Sequence, residues 1–223
     1  MAEFKVAEKF VSINGEGRLA GQLSVFIRLA GCNLDCGYCD TKWANVPGAF
    51  HTSETENEIY SYILGTGICN VTITGGEPLA HENIGALLAV LTADASLHIE
   101  IETNGSVDIS PFILAFSEQN RPSFTLDYKL NEMERYMNTA NFSLLERNDA
   151  VKFVVGTQAD LGRAKEILFK YDLLNKCAVY FSPVFGEIEP REIVEFMKSE
   201  KLNNVNMQLQ LHKYIWEPQA RGV

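Results

Sequence analysis

Residues 24–41 read SVFIRLAGCNLDCGYCDT, an apolar run followed at once by three cysteines spaced Cys-x3-Cys-x2-Cys. The run Ser24–Leu29 is short and rich in β-branched and aromatic residues, which predicts a strand. Cys32, Cys36 and Cys39 then fall on the loop at its carboxyl end. Outward from this stretch the pattern repeats. Strands are expected at Asn70–Thr74, His98–Glu102, Ser123–Asp127, Ala150–Val155, Ala178–Phe181 and Val205–Leu209. Helices are expected at Thr55–Leu64, with Ser53 as its N-terminal cap, and at Asn83–Ala93, Ala159–Tyr171 and Glu189–Glu200. Pro190 suits the first turn of the last, where its missing N–H is not needed. Such alternation implies a parallel sheet with right-handed crossovers. An eight-unit barrel takes about 250 residues. The 223 residues therefore predict an α/β fold, a partial (β/α) barrel with a mainly parallel curved sheet, in a single compact domain over 1–223. Its chemistry is expected at the carboxyl ends of the strands.

Composition narrows the function. Apolar residues make up 46% and charged residues 22%, enough for a folded core. The formal net charge of −10 repels phosphate backbones, so nucleic acid is not an expected partner. A local basic pocket from Arg28, Lys42 and Lys129 remains available for an anionic small molecule. No long apolar run predicts a membrane span, and MAEFKVAEKF lacks the pattern of a secretory signal. A cytoplasmic location is expected. Thiols there stay reduced, which makes the five cysteines metal ligands or core residues rather than disulfides. Cys69 and Cys177 precede apolar strands and are read as core.

The cysteine loop admits three readings. Three thiolates on one short loop suit an iron–sulfur cluster. A structural zinc site needs a fourth ligand, for which Cys69 and His51 are candidates without standard spacing. Plain core is disfavoured by the polar Asn33, Asp35 and Asp40. Other strand ends are polar too. TGGEP (74–78) follows one strand, and its two glycines let the backbone approach a ligand closely. IETNG (101–105) and LDYK (126–129) end two more, and Ser182 a fourth.

The loop, with Tyr38 at the aromatic position before the third cysteine, resembles the signature of the radical S-adenosylmethionine superfamily. The segment SINGEG (12–17), the run through Arg28 to CDT, ITGGEP, IETNG and QLQLHKYIW (208–216) together resemble the 7-carboxy-7-deazaguanine synthases. That resemblance implies a [4Fe–4S] cluster on Cys32, Cys36 and Cys39 whose open iron takes S-adenosylmethionine. It implies a lyase that turns 6-carboxy-5,6,7,8-tetrahydropterin into 7-carboxy-7-deazaguanine, with loss of ammonia, for queuosine-type bases. It assigns cofactor contacts to Tyr38, Asp40, Gly76, Glu77, Glu102, Asn104, Asp127, Tyr128, Lys129 and Ser182. Substrate contacts fall to Ile13, Asn14, Gly15, Glu16, Arg28, Thr74 and the terminal Val223, with Asn14 where glutamine is commoner. Thr41 matches a Mg2+ position. A flavodoxin or ferredoxin donor and a homodimer are further implications. A glycyl-radical-enzyme activase shares the cysteine loop and is the alternative; a zinc-binding module is a third reading.

Overall fold

Along most of the parallel strands apolar and polar side chains alternate, which gives the sheet an apolar outer layer and a largely polar interior. The computed structural model describes residues 2–116 and 120–223. Nine strands form one sheet: β1 (Glu3–Ile13), β2 (Leu23–Leu29), β3 (Thr52–Thr55), β4 (Asn70–Gly75), β5 (His98–Thr103), β6 (Ser123–Lys129), β7 (Ala150–Val155), β8 (Ala178–Pro183) and β9 (Val205–Met207). Their order is β3-β1-β2-β4-β5-β6-β7-β8-β9. Only the β1–β2 and β1–β3 pairs are antiparallel. The remaining pairs run parallel, as the alternation predicts.

The outer face carries Ile27, Ile73, Ile101, Phe124, Phe153 and Phe181, all fully buried. Against it pack α2 (Glu56–Thr66), α3 (Ile84–Thr92), α5 (Gln158–Lys170) and α6 (Pro190–Ser199), through Ile63, Leu87, Leu88, Ile167 and Ile193 among others. Each such side chain contributes about 1.5–3 kcal/mol, as an upper figure. The shorter helices α1 (Lys42–Asn45), α4 (Ser110–Leu114) and α7 (His212–Ile215) lie in the connections.

Two strands escape the sequence reading. β3 is a short polar edge strand, and β1 carries a register shift between Val6 and Glu8 that breaks its alternation. The shift has a consequence for the site: it sets Glu8 opposite Arg28 and Phe10 opposite Phe26, whose rings stack at 4.9 Å. Ser53 does not cap α2. It lies in β3 and donates to Glu3, while Thr55 caps the helix in a reciprocal pair with Glu58. Cys69 is exposed rather than core, because the strand's first buried position is the next residue, Asn70; Cys177 is buried as expected. The strand expected to reach Leu209 ends at Met207, since the next residues turn to meet the β1–β2 loop.

That meeting closes the open side of the sheet. Gly17 N–H donates to Gln208 Oε1 at 2.8 Å and Gln208 Nε2 to Gly17 O at 2.9 Å. Leu211 N–H donates to Gly15 O at 3.1 Å. Gly15 packs against this segment, and a Cβ there would lie 2.4 Å from His212 Nδ1, so the ring would have to move.

At the amino ends of these strands, beside the β1–β2 turn, Asp149 fastens β6 to β7. Its carboxylate is fully buried and accepts Arg121 Nη1 and Nη2 at 3.1 and 2.7 Å, and the backbone N–H groups of Phe124 and Glu146. Breaking a buried pair strands the other charge. Asp149→Ala is expected to lower the unfolding free energy by about 3–5 kcal/mol in urea titrations. A loss under 1 kcal/mol would show that the pair is not a structural tie.

Candidate active site

The carboxyl ends of the parallel strands open into one cavity of about 380 Å3. The cysteine loop forms one of its walls. Cys39 N–H donates to Cys36 O at 3.2 Å, a turn that brings these two cysteines together, and all three cysteines line the cavity. Burial raises the Cys32 and Cys36 thiols above the ordinary value, so their protons must leave before they can bind metal. Among the described residues, no three His, Cys, Asp or Glu side chains converge as a single ion requires. The thiols rim a space instead. The fourth-ligand candidates are elsewhere: Cys69 and His51 are exposed, His51 on Ala49 O, and neither lines the cavity. Three soft donors around one cavity, with a backbone N–H from Leu34 3.4 Å from Cys32 Sγ, fit a multi-iron cluster with an open corner.

The glycines after β4 serve this loop directly. A Cβ on Gly76 would lie 1.8 Å from Gly31 O, and one on Gly75 2.1 Å from Leu29 O. Their lack of side chains lets the β4 turn run against the cysteine loop, and Glu77 N–H donates to Gly31 O at 3.0 Å. Both glycines also line the cavity, but Glu77 does not. Its carboxylate turns away and accepts Leu79 N–H, Thr103 Oγ1 and Asn104 N–H at 3.0, 2.7 and 2.6 Å. The expected ligand contact is thus a buried clip between the β4 turn and the end of β5.

The opposite wall is ionic. Arg28 projects from β2, its Nε 2.7 Å from Glu8 Oε1. Glu16 accepts Lys152 Nζ at 3.0 Å, Ser182 Oγ at 2.7 Å and Gln210 Nε2 at 3.2 Å. Lys152 also meets Asp127 at 2.8 Å, and Asp127 meets Lys129 at 3.0 Å. Burial opposes a charge on Lys152, yet Asp127, Glu16 and Glu102 hold its pKa well above the ordinary lysine value. Burial likewise opposes the Asp127 charge, but Lys129 and Lys152 outweigh it and hold its pKa down. Glu102 has no such close partner, and burial pushes it up to about 7.

Most of the residues expected from sequence share this cavity. Ile13, Gly15, Glu16, Arg28, Thr74 and Val223 line it. So do Tyr38, Asp40, Gly76, Glu102, Asn104 and Asp127. Lys129, Ser182 and Thr41 complete the set with the three cysteines. Besides Glu77, two side chains lie outside. Asn14 is buried and accepts Thr72 Oγ1 at 3.0 Å beneath the cavity. Tyr128 faces the outer layer between Phe142 and Phe153, because strand alternation opposes it to Asp127 and Lys129. Lys42 is on the surface with Asp35 rather than in the basic pocket. Its place is taken by Lys152, which the sequence reading missed; the available signal was one lysine inside the apolar run AVKFVV. Gln210 and His212 were also missed, since they reach the cavity only through the closure of the sheet. Among the described residues no helix is long and apolar enough to cross a membrane.

The sequence pattern of the Radical SAM superfamily matches residues 26–198. The chain is 55% identical over 222 residues to the 7-carboxy-7-deazaguanine synthase of Clostridium acetobutylicum, covering 99% of each protein. It is 39% identical to that of Chlorobaculum tepidum, covering 100% of this chain and 98% of the other. The crystal structure of QueE from Escherichia coli superposes with a TM-score of 0.72 over 93% of both chains at 22% identity. That of Streptococcus suis SuiB bound to S-adenosylmethionine gives 0.57 over 80% of this chain and 45% of that one at 14% identity. At these identities the two structures speak for the fold.

The Glu102 environment makes a pH prediction. Its folded pKa of about 7 exceeds the ordinary 4.5. The native state therefore keeps a proton that the unfolded chain releases, and stability falls as pH rises from about 4.5 through 7. Glu102→Gln removes that titration. Urea midpoints of the cluster-free protein at pH 5 and 8 should differ less in the variant than in the wild type. Equal differences would contradict the assignment.

Proposed function

The chain belongs to the radical S-adenosylmethionine superfamily and, within it, to the 7-carboxy-7-deazaguanine synthases, and on that premise we propose how its cavity serves the reaction. The domain spans 1–223. Cys32, Cys36 and Cys39 hold the [4Fe–4S] cluster, and S-adenosylmethionine occupies the space bounded by Gly76, Glu102, Asn104 and Lys129. When bound, cluster and cofactor supply the radical that takes a hydrogen atom from the substrate. The substrate is 6-carboxy-5,6,7,8-tetrahydropterin, which leaves as 7-carboxy-7-deazaguanine after loss of ammonia, on the way to queuosine and related bases.

What supports this reading is one observation: the cysteine wall and the Arg28–Glu16 wall face the same cavity. Its volume of about 380 Å3 falls in the usual range for small-molecule sites. Glu8 engages only Nε of Arg28, so the terminal nitrogens are left to receive a carboxylate. Three of the roughly four acceptor positions of Glu16 are taken by Lys152, Ser182 and Gln210, which orients the remaining one toward an N–H of the pterin edge. The backbone of Ile13 and Gly15, Thr74 and Val223 complete the substrate contacts. Lys129 and Lys152 hold the Asp127 pKa down, so Asp127 does not need to exchange a proton. Thr41, with Oγ1 3.5 Å from both Cys39 Sγ and Gly75 O, offers an oxygen to Mg2+ between the two walls. A flavodoxin or ferredoxin supplies the electron, and the enzyme works in the cytoplasm as a homodimer. The activase reading is not favoured, because identity to 7-carboxy-7-deazaguanine synthases runs through the whole chain.

The direct experiment incubates anaerobically reconstituted protein with S-adenosylmethionine, reductant, Mg2+ and the carboxytetrahydropterin. Deazaguanine product is expected. Formation of 5′-deoxyadenosine without it would remove the substrate assignment but keep the radical class. Arg28→Ala should raise the pterin KM by about 10–100-fold, the equivalent of one lost charge-assisted hydrogen-bonding group, while uncoupled cofactor cleavage persists. Equal loss of both activities would contradict a substrate role for Arg28.

A further inference from the structure

Asn104, just past the end of β5, is one of the residues that tie the cysteine loop to the barrel. Its backbone N–H donates to Glu77 Oε2 at 2.6 Å. Its side-chain oxygen accepts Ser106 N–H and Ser106 Oγ at 2.9 and 2.6 Å. Its amide nitrogen lies 2.9 Å from Asn33 Oδ1 and 3.8 Å from Cys32 Sγ, as donor to both. Asn33 returns a bond to Ser106 Oγ at 2.9 Å. A primary amide has two N–H donors and two oxygen lone pairs, and here all four are engaged. The side chain is 7% exposed and committed to the loop.

The three thiols are consequently unequal. Cys32 Sγ receives two N–H groups, from Leu34 at 3.4 Å and from Asn104. Cys39 Sγ lies 3.5 Å from one hydroxyl, that of Thr41. Cys36 has no such donor among the described residues.

We propose that Asn104 is a positioning residue for the iron–sulfur centre: its amide N–H orients Cys32 and raises the potential at which the cluster accepts an electron. The inference rests on the reading of Cys32 as a cluster ligand. Reduction adds a negative charge, part of which falls on the ligating sulfurs. A donor held against one of them stabilises the reduced state more than the oxidised one, and hydrogen bonds to the sulfurs are a recognised control of such potentials. The effect is strengthened where water is largely excluded. Glu77 contributes at one remove, by fixing the backbone from which the amide projects.

The test uses full-length, anaerobically reconstituted protein without S-adenosylmethionine, its cluster potential read by redox titration with electron paramagnetic resonance. Asn104→Ala should shift the potential to more negative values. Asn104→Asp should shift it further, since a carboxylate replaces the donor. Wild-type potentials in both variants would overturn the proposal. So would an unchanged potential with weakened S-adenosylmethionine binding, which would leave Asn104 a cofactor contact only. If neither variant takes up a cluster, the wild type labelled with 15N-asparagine decides: pulsed resonance of its reduced cluster should show an asparagine-nitrogen coupling, and absence of that coupling overturns the inference. A wild type that binds no cluster at all would overturn the underlying reading, a result distinct from all of these.

Discussion

Glu16 puts one carboxylate among Lys152 on β7, Ser182 on β8 and Gln210 beyond β9, and with Gly15 and Gly17 it carries the β1–β2 turn across the open side of the sheet. The sheet does not close by strand pairing; its edges are β3 and β9. A curved sheet with a free side would expose its inner face to water, and here that face is polar. The turn supplies the missing wall. It also supplies the second carboxylate, beside Asp127, that pairs with Lys152, 5% exposed. Structure and site thus share one interaction, because Glu16 and Gln210, whose hydrogen bond spans the open side, also line the cavity.

The second constraint is steric. The β4 turn and the cysteine loop approach so closely that Gly75 and Gly76 leave no room for a Cβ. This contact lets Glu77 reach the end of β5 and place Asn104 beside Cys32. A Gly-Gly-Glu turn at a strand end is easily read as a ligand cradle. Its packing shows a more indirect part, in which two glycines permit the approach of a loop and one carboxylate fixes a neighbouring strand end.

Electrostatics then divides the cavity. The chain is acidic overall, with a net charge of −10, yet its cavity gathers Arg28, Lys129 and Lys152. Each of these cations meets a carboxylate: Glu8 for Arg28, Asp127 for Lys129, and Glu16 for Lys152, which shares Asp127 with Lys129. Pairing offsets the burial of Asp127, Lys129 and Lys152 and leaves defined hydrogen-bonding positions rather than loose charge. Glu102, lacking a close partner, is the carboxylate that burial raises most plainly among those lining the cavity.

The sequence by itself determined the strand–helix alternation, the parallel sheet, the place of Cys32, Cys36 and Cys39 on a strand-end loop, and the polar strand ends that meet in the cavity. These are local properties: apolar periodicity and residue spacing report directly on burial and chain direction. It did not reveal β1, because the shift at Val6 and Glu8 interrupts the period on which such reading depends. Nor did it separate Asp127 from Tyr128, or Glu77 from the glycines before it, since neighbouring residues in one motif can face opposite ways. Lys152, Gln210 and His212 entered the site only through tertiary structure. Their partners lie far away in sequence, Glu16 being 136 residues from Lys152 and 194 from Gln210. A contact of that range exists only once the sheet has curved far enough for its two ends to meet.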